Sequence, residues 1–191
     1  MRKVILETSM SLDGYSAGPN INAKQPLGEN GEQLHDWMFS AKTDVDTKLV
    51  QEIVQNSGAV IVGGKTYHDA IDIAWGGVSP FEVPAFVVTT RVPKEGKPGF
   101  TFVSDGIERA LLQARAVAGD KNVWVMGGAN TIQQFIDAHL FDELRVHIAP
   151  IILGSGTRLF DQLKTGKIDL KIKDVIKTPG AVHLKFYPAS Q

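Results

Sequence analysis

The stretch VWVMGGANTIQQFI, Val123 to Ile136, passes from an apolar strand into a helical pattern with two adjacent glycines at the join. The same strand–Gly-Gly–helix arrangement occurs at VIVGGKTYHDAI, Val60 to Ile71. In a parallel sheet such corners lie at the carboxyl ends of the strands, where ligands bind. A helix N-terminus carries unpaired N–H groups and partial positive charge, which suits a phosphate. Loss of the Cβ atoms lets a phosphate approach the backbone, but glycine also serves a tight turn for torsional reasons alone. Both readings stand for a single corner. Two corners, with Thr66 and Thr131 just inside their helices, favour binding.

Outward from these corners the chain alternates strand and helix. Arg2 to Leu12 reads as a first strand, followed by a Gly/Pro/Asn/Ser-rich stretch from Asp13 to about His35 with no sustained period. Structureless segments of that length inside a domain are commonly lids or binding loops. A helix is expected from Thr43 or Asp44, with Val45, Leu49, Ile53 and Val54 on its inner face. Ala59 to Val62, Pro84 to Thr90 and Phe100 to Ser104 read as strands, with a helical turn from Thr66. Asp105 and Glu108 have the spacing of a capping box, opening a helix that turns Ile107, Leu111, Ala114 and Ala118 inward and stops at Gly119. After the opening stretch come a strand from Leu144 to Leu153 and a hairpin turning at Pro179-Gly180. In that hairpin Ile168, Leu170 and Ile172, then Val182, Leu184 and Phe186, alternate with other residues. The pattern is α/β: three αβα layers on a mixed sheet, mostly parallel with an antiparallel C-terminal hairpin.

The bulk properties narrow the function. The 191 residues are expected to form one domain, 1–191, large enough to bury roughly 70% of the surface the unfolded chain exposes. There is no cysteine, hence no disulfide and no thiolate metal site. A net charge of −1 gives no general attraction to nucleic acid or anionic membrane. Glu7 cuts short the apolar run that a signal peptide would need, and no stretch has the length of a membrane span. A soluble, cytoplasmic protein is expected.

Three familiar motifs fail. Gly64-Lys65-Thr66 resembles the end of a P-loop, but Ala59 stands where that loop needs glycine, and its middle would be strand. The Rossmann G-x-G-x-x-G is absent after either strand. His35-Asp36 and His68-Asp69 are isolated pairs, so no metal is expected. A third anchor does emerge: Phe86-Val87-Val88 ends in Thr89-Thr90-Arg91, two hydroxyls and a guanidinium suited to a phosphate monoester such as the 2′-phosphate of NADP.

MSLDGYSAG (Met10 to Gly18), VGGKTY (Val62 to Tyr67), VVTTR (Val87 to Arg91), VMGGANTIQQ (Val125 to Gln134) and DELRVHIAPIILGSGTRLF (Asp142 to Phe160) follow one another in that order. The set resembles the stand-alone dihydrofolate reductase-like proteins related to the C-terminal reductase domain of the riboflavin-biosynthesis deaminase–reductase. The likeness runs from about residue 2 to 187. It implies a dihydrofolate reductase-like fold, NADP as cofactor and a homodimer. Gly127-Gly128, joined in dihydrofolate reductases by a cis peptide, would cradle the pyrophosphate together with Ala129, Asn130 and Thr131. Gly63, Gly64, Lys65 and Thr66 would line the cofactor, and Thr89, Thr90 and Arg91 its adenosine phosphate. Ser9, Ser11, Tyr15, Trp37 and Val146 would surround the substrate, with Ser9 to Asp13 beside the nicotinamide and the 13–35 loop as its cover.

The chain departs from the family at informative places. Gly64 stands where arginine is usual, leaving Lys65 or Arg91 to compensate. Tyr15 replaces the lysine of the riboflavin-pathway enzymes, and Val146 the threonine that helps dihydrofolate reductases bind the pterin. The acid that those enzymes place at the start of their first helix has two candidates here, Asp36 and Glu32, with Asp36 favoured by the following Trp37-Met38-Phe39. The expected activity is an NADPH-dependent reduction of a small, flat, pteridine- or pyrimidine-like heterocycle. Asp36 or Asp13 would anchor polar substrate atoms or help deliver a proton. Two alternatives are the 5-amino-6-(5-phosphoribosylamino)uracil reductase of riboflavin biosynthesis and a nucleotide-binding module without turnover.

Overall fold

A computed structural model describes residues 2–40 and 42–189. In chain order the elements are β1 (Val4–Ser11), β2 (Tyr15–Ala17), a 3-10 turn (Gly31–His35), α1 (Asp44–Asn56), β3 (Ser57–Gly63) and α2 (Gly64–Ala70). They continue with β4 (Ala85–Val88), β5 (Phe100–Val103), α3 (Ile107–Val117), β6 (Asn122–Gly127) and α4 (Ala129–Asp137). Strands β7 (Glu143–Ala149), β8 (Thr157–Arg158), β9 (Leu170–Lys177) and β10 (Val182–Pro188) complete the chain.

Eight strands form one sheet in the order β5-β4-β3-β6-β1-β7-β10-β9. Every neighbouring pair from β5 to β7 is parallel. Strand β10 runs antiparallel to both β7 and β9. The expected mixed sheet is therefore the one observed.

Alternation along β1 divides its two faces. Val4 and Leu6 enter an apolar core with Ile107, Leu111 and Ala114 of α3 and Ile132, Phe135 and Ile136 of α4. Phe135 and Ile132 are fully buried, worth roughly 2–3 kcal/mol each in apolar transfer. On the opposite face Tyr67 and Ile71, in and just beyond α2, close a second core over Val60, Val62 and Val87. Further across that face, α1 reaches β7 and β10 through polar contacts, with Asp46 on His183 and Glu52 on both Arg145 and Lys185.

Several local expectations change. In α1 the buried residues are Asp46, Leu49 and Ile53, while Val45 and Val54 are exposed. A hydrophobic stripe read by periodicity alone misses that this helix faces charged strands. The capping box lies at Thr43 and Asp46. At Asp105–Glu108 the N-cap is instead Gly106 with φ 92°, one residue too late for Asp105 to cap. Strand β7 stops at Ala149, well short of Leu153. The 13–35 stretch is more structured than expected, because it contains β2, paired with β8, and the 3-10 turn. In β10 the buried positions are His183 and Lys185, between the apolar residues rather than on them.

Candidate cofactor and substrate site

Strands β1, β3, β4, β6 and β7 are mutually parallel, so Ser11, Gly63, Val88, Gly127 and Ala149 end along one edge of the sheet. The two glycine corners meet there. A Cβ built on Gly63 would lie 2.4 Å from Thr131 Oγ1, and one on Gly128 would lie 2.9 Å from Thr66 Oγ1. A Cβ on Gly64 would lie 2.6 Å from the Thr89 side chain. Gly127 has φ 115°, a torsion L side chains resist, and the Gly127–Gly128 peptide is cis, as the resemblance implies. The glycines thus have intramolecular reasons: torsion at Gly127, and at the other three the close approach of one corner to the next.

That approach brings two helix N-termini together. Neither α2 nor α4 is capped by a side chain, and neither has an acid in its first turn. Helix α1, in contrast, consumes its N-terminal donors in the Thr43–Asp46 box. The uncapped α4 terminus fits the diphosphate of a dinucleotide, held by partial positive charge and backbone N–H groups. Thr66, Thr89 and Thr131 stand at this junction. Lys65 extends to Asp69, and Asn130 Oδ1 accepts from Gln134 Nε2 at 2.7 Å. Thr90 and Arg91 are exposed just past β4, where Thr89 Oγ1 accepts from the Arg91 amide at 3.1 Å. An exposed guanidinium at that end suits the 2′-phosphate of NADP.

The expected substrate residues fare differently. Ser9 is buried, accepting from Trp37 Nε1 at 3.0 Å. Ser11 donates to Asp13 Oδ1 at 2.6 Å and accepts from the Tyr15 amide at 3.0 Å. Asp13 also accepts from the amides of Leu153 at 3.1 Å and Gly154 at 2.7 Å. The Ser11 hydroxyl and, against desolvation, these amides hold its carboxyl down at about 2. The carboxylate so held ties the loops after β1 and β7 together. Tyr15 is buried beneath the Arg158 guanidinium, 4.5 Å from its ring centroid, and donates to the Gly154 carbonyl at 3.3 Å.

Asp36 is exposed and accepts from Ser40 Oγ at 2.6 Å, and Glu32 is exposed too. The acid buried in the first turn of the first α-helix is Asp46. Val146 pairs with Thr8 and joins the α3/α4 core, because alternation along β7 turns it away from Trp37. His147, one residue on, faces Trp37, with ring centroids 4.3 Å apart. Asp36 thus meets Ser40, and Val146 the α3/α4 core.

What sequence reading missed is the polar layer under α1. Glu7 Oε1 is 3.0 Å from His147 Nε2, His147 Nδ1 is 2.8 Å from His183 Nδ1, and His183 Nε2 is 2.9 Å from Asp46 Oδ1. All four residues are buried. Below them Glu143 receives Lys3, Arg145 and Lys173. Burial pushes its carboxyl up, but Lys173, Arg145 and Lys3 outweigh that and hold it at about 2. The available signal was polar residues at every second position of β7 and β10, read as solvent-facing.

Among the described residues no group of three His, Cys, Asp or Glu is placed to hold a metal ion, and no helix is long and apolar enough to cross a membrane. A largely parallel sheet with helices on both faces and antiparallel strands at its C-terminal side defines a dihydrofolate reductase-like α/β fold. The structure of dihydrofolate reductase from Enterococcus faecalis complexed with NADP(H) and RAB-propyl superposes with a TM-score of 0.64 at 13% identity, over 98% of this chain and 97% of that one. The chain belongs to the family described as the RibD C-terminal domain, whose model matches residues 2–184. It is 27% identical to the uncharacterized protein YwjB of Bacillus subtilis (strain 168), over 98% of this chain and 99% of the relative. A putative riboflavin biosynthesis protein from Shewanella sp. PV-4 shares the fold at a TM-score of 0.70 and 22% identity, covering 97% of this chain and 98% of its own.

Proposed function

We propose that the protein is an NADPH-dependent reductase of a small, flat, pteridine- or pyrimidine-like heterocycle. The observation that carries this reading is the junction of the two glycine corners, which sets the uncapped α4 terminus beside Thr66, with Thr89 against Gly64, at the ends of parallel strands. Family membership and the shared architecture support reduction as the chemistry. When bound, the nicotinamide would supply the hydride. The chain's own part is to grip the diphosphate at Gly127–Thr131 and Gly63–Thr66, read the 2′-phosphate with Thr89–Arg91, and orient the acceptor ring.

Tyr15 bears on which heterocycle is reduced. Its phenol is locked under Arg158 where the riboflavin-pathway enzymes carry lysine, so weak or no activity is expected on 5-amino-6-(5-phosphoribosylamino)uracil. Assembly as a homodimer fits strand β9, which leaves Ile172 and Val175 exposed along the sheet edge. The test has two stages: nicotinamide fluorescence on adding NADPH, then NADPH oxidation against dihydrofolate, other pteridines, pyrimidinones, the phosphoribosylaminouracil and quinones. Binding followed by oxidation with a heterocycle is expected. Tight binding without turnover across the panel would favour the nucleotide-binding module, and no binding would end the proposal.

A further inference from the structure

The buried chain from Glu7 to Asp46 crosses the sheet transversely. Glu7 sits on β1 beside β6, the strand that ends in the Gly127 corner, while His147 and His183 lie successively outward on β7 and β10. Asp46 closes the outer end from α1, where Thr43 and Thr178 flank it.

Each of the three links needs one hydrogen. Two neutral imidazoles provide one N–H apiece, and two ionised carboxylates provide none. The third link therefore requires one more proton, whether it is drawn as an imidazolium or as a carboxylic acid. The four groups then carry three protons and a net charge of −1. Nearby charges are Arg145, which acts on Glu7, then Lys185 and Glu52 further along, and His35 against His147. Burial and His147 push the His183 imidazole down despite Asp46, and burial and His147 push His35 down to about 4. Those effects disfavour the extra proton on His183 and leave His35 uncharged at neutral pH. At the inner end, Glu7 Oε2 is buried with no hydrogen-bond partner among the described residues, an expensive state for an ionised oxygen.

We propose that Glu7, His147, His183 and Asp46 form a proton store that protonates the reduced substrate from the Glu7 carboxyl. This rests on the reductase reading. Once a hydride from the nicotinamide reaches an unsaturated substrate carbon, the displaced electron pair moves to the adjoining nitrogen or oxygen. That atom takes the proton from the Glu7 carboxyl, so the substrate gains one hydride and one proton. The store falls from three protons to two, with net charge −2, and is refilled from water after product leaves.

The proton count is measured without substrate by NMR of the 15N-histidine-labelled protein. Three strongly deshielded, exchange-protected hydrogen-bond protons are expected, collapsing together in His183→Asn. Two or fewer in the wild type overturns the store, whatever the enzyme reduces. The isosteric Glu7→Gln should keep NADPH affinity within about twofold, because it lies outside the cofactor grip. Its kcat, on the panel heterocycle that the wild type reduces fastest, should drop about 100-fold or more. An unchanged kcat in Glu7→Gln overturns delivery through Glu7. A wild type that neither binds nor oxidises NADPH sinks the reductase reading and the delivery step, while the proton count is decided by the spectra alone.

Discussion

Gly63→Ala isolates the contact between the two corners. Gly63 has φ −74° and ψ 145°, which alanine adopts freely, so the substitution introduces no torsional penalty. The added methyl would lie 2.4 Å from Thr131 Oγ1, where ordinary contact begins at 3.4 Å. The buried Thr131, in the first turn of α4, must therefore yield by roughly 1 Å in a close-packed interior. Overpacking of this kind costs about 1–3 kcal/mol, partly offset by about 0.4–1 kcal/mol from the stiffer unfolded chain. For a chain of this size the net loss lowers Tm by roughly 2–8 °C. Thr131→Ala removes the obstructing hydroxyl. The double variant should recover most of the deficit, giving a favourable coupling of about 1–2 kcal/mol in a cycle measured by urea unfolding at constant m. NADPH affinity should follow the same pattern, since displacing Thr131 displaces the N-terminus of α4. If Gly63→Ala has wild-type stability, or the second change restores nothing, the corners do not pack as described and the junction argument fails.

Arg91→Ala should weaken NADPH more than NADH in fluorescence titrations, and equal losses would show that Arg91 does not read the 2′-phosphate. Asp13→Asn should speed amide exchange at Leu153 and Gly154, whose N–H groups the carboxylate accepts, while leaving global unfolding nearly unchanged. Unchanged exchange would remove the tie between the loops. Glu143 is held at about 2 against an ordinary 4.5, so it contributes stability that is complete above its ordinary value and lost as pH falls toward 2. The contribution is worth about 2–4 kcal/mol. Urea midpoints of wild type and Glu143→Gln should accordingly converge on acidification, and a gap independent of pH would contradict it. Ile172→Lys on the exposed face of β9 should shift sedimentation from dimer to monomer, and a wild type already monomeric would reject the β9 interface.

The sheet was legible because its strands are buried on both faces and interrupted by glycine and proline. Val60 to Val62, Phe86 to Val88 and Val123 to Val125 stand out as apolar runs whatever covers them. The junction of the glycine corners was legible for a related reason: paired glycines before a helix have few uses, and the observed contacts employ two of them, torsion and close approach. The substrate half was not legible. Asp36 was favoured for its aromatic neighbours, yet the 3-10 turn buries Trp37 and points Asp36 at Ser40. Val146 entered by its correspondence to a family threonine, and alternation in the hairpin picked out Val182 and Leu184, so His147 and His183 were passed over. Beneath a helix that itself offers Asp46 and Glu52, the polar residues are the buried ones.

That inversion has an energetic logic. Transferring isolated charges into a protein interior costs several kcal/mol each, so the layer stands only if its members compensate one another. Glu52 and Glu143 are matched to Arg145, Lys185, Lys173 and Lys3, leaving positive charge in excess. The chain from Glu7 to Asp46, with its net charge of −1, offsets part of that excess, at a distance bridged by two imidazoles rather than by direct pairing. An apolar layer of the same volume would hold α1 at least as firmly. A covering helix attached through ionisable groups, ending in an unpartnered oxygen beside the cofactor strands, is poorly explained as scaffolding. It is well explained if protons must move there, and Glu7, which first drew notice only for interrupting an apolar run, is then the residue at which the layer meets the chemistry.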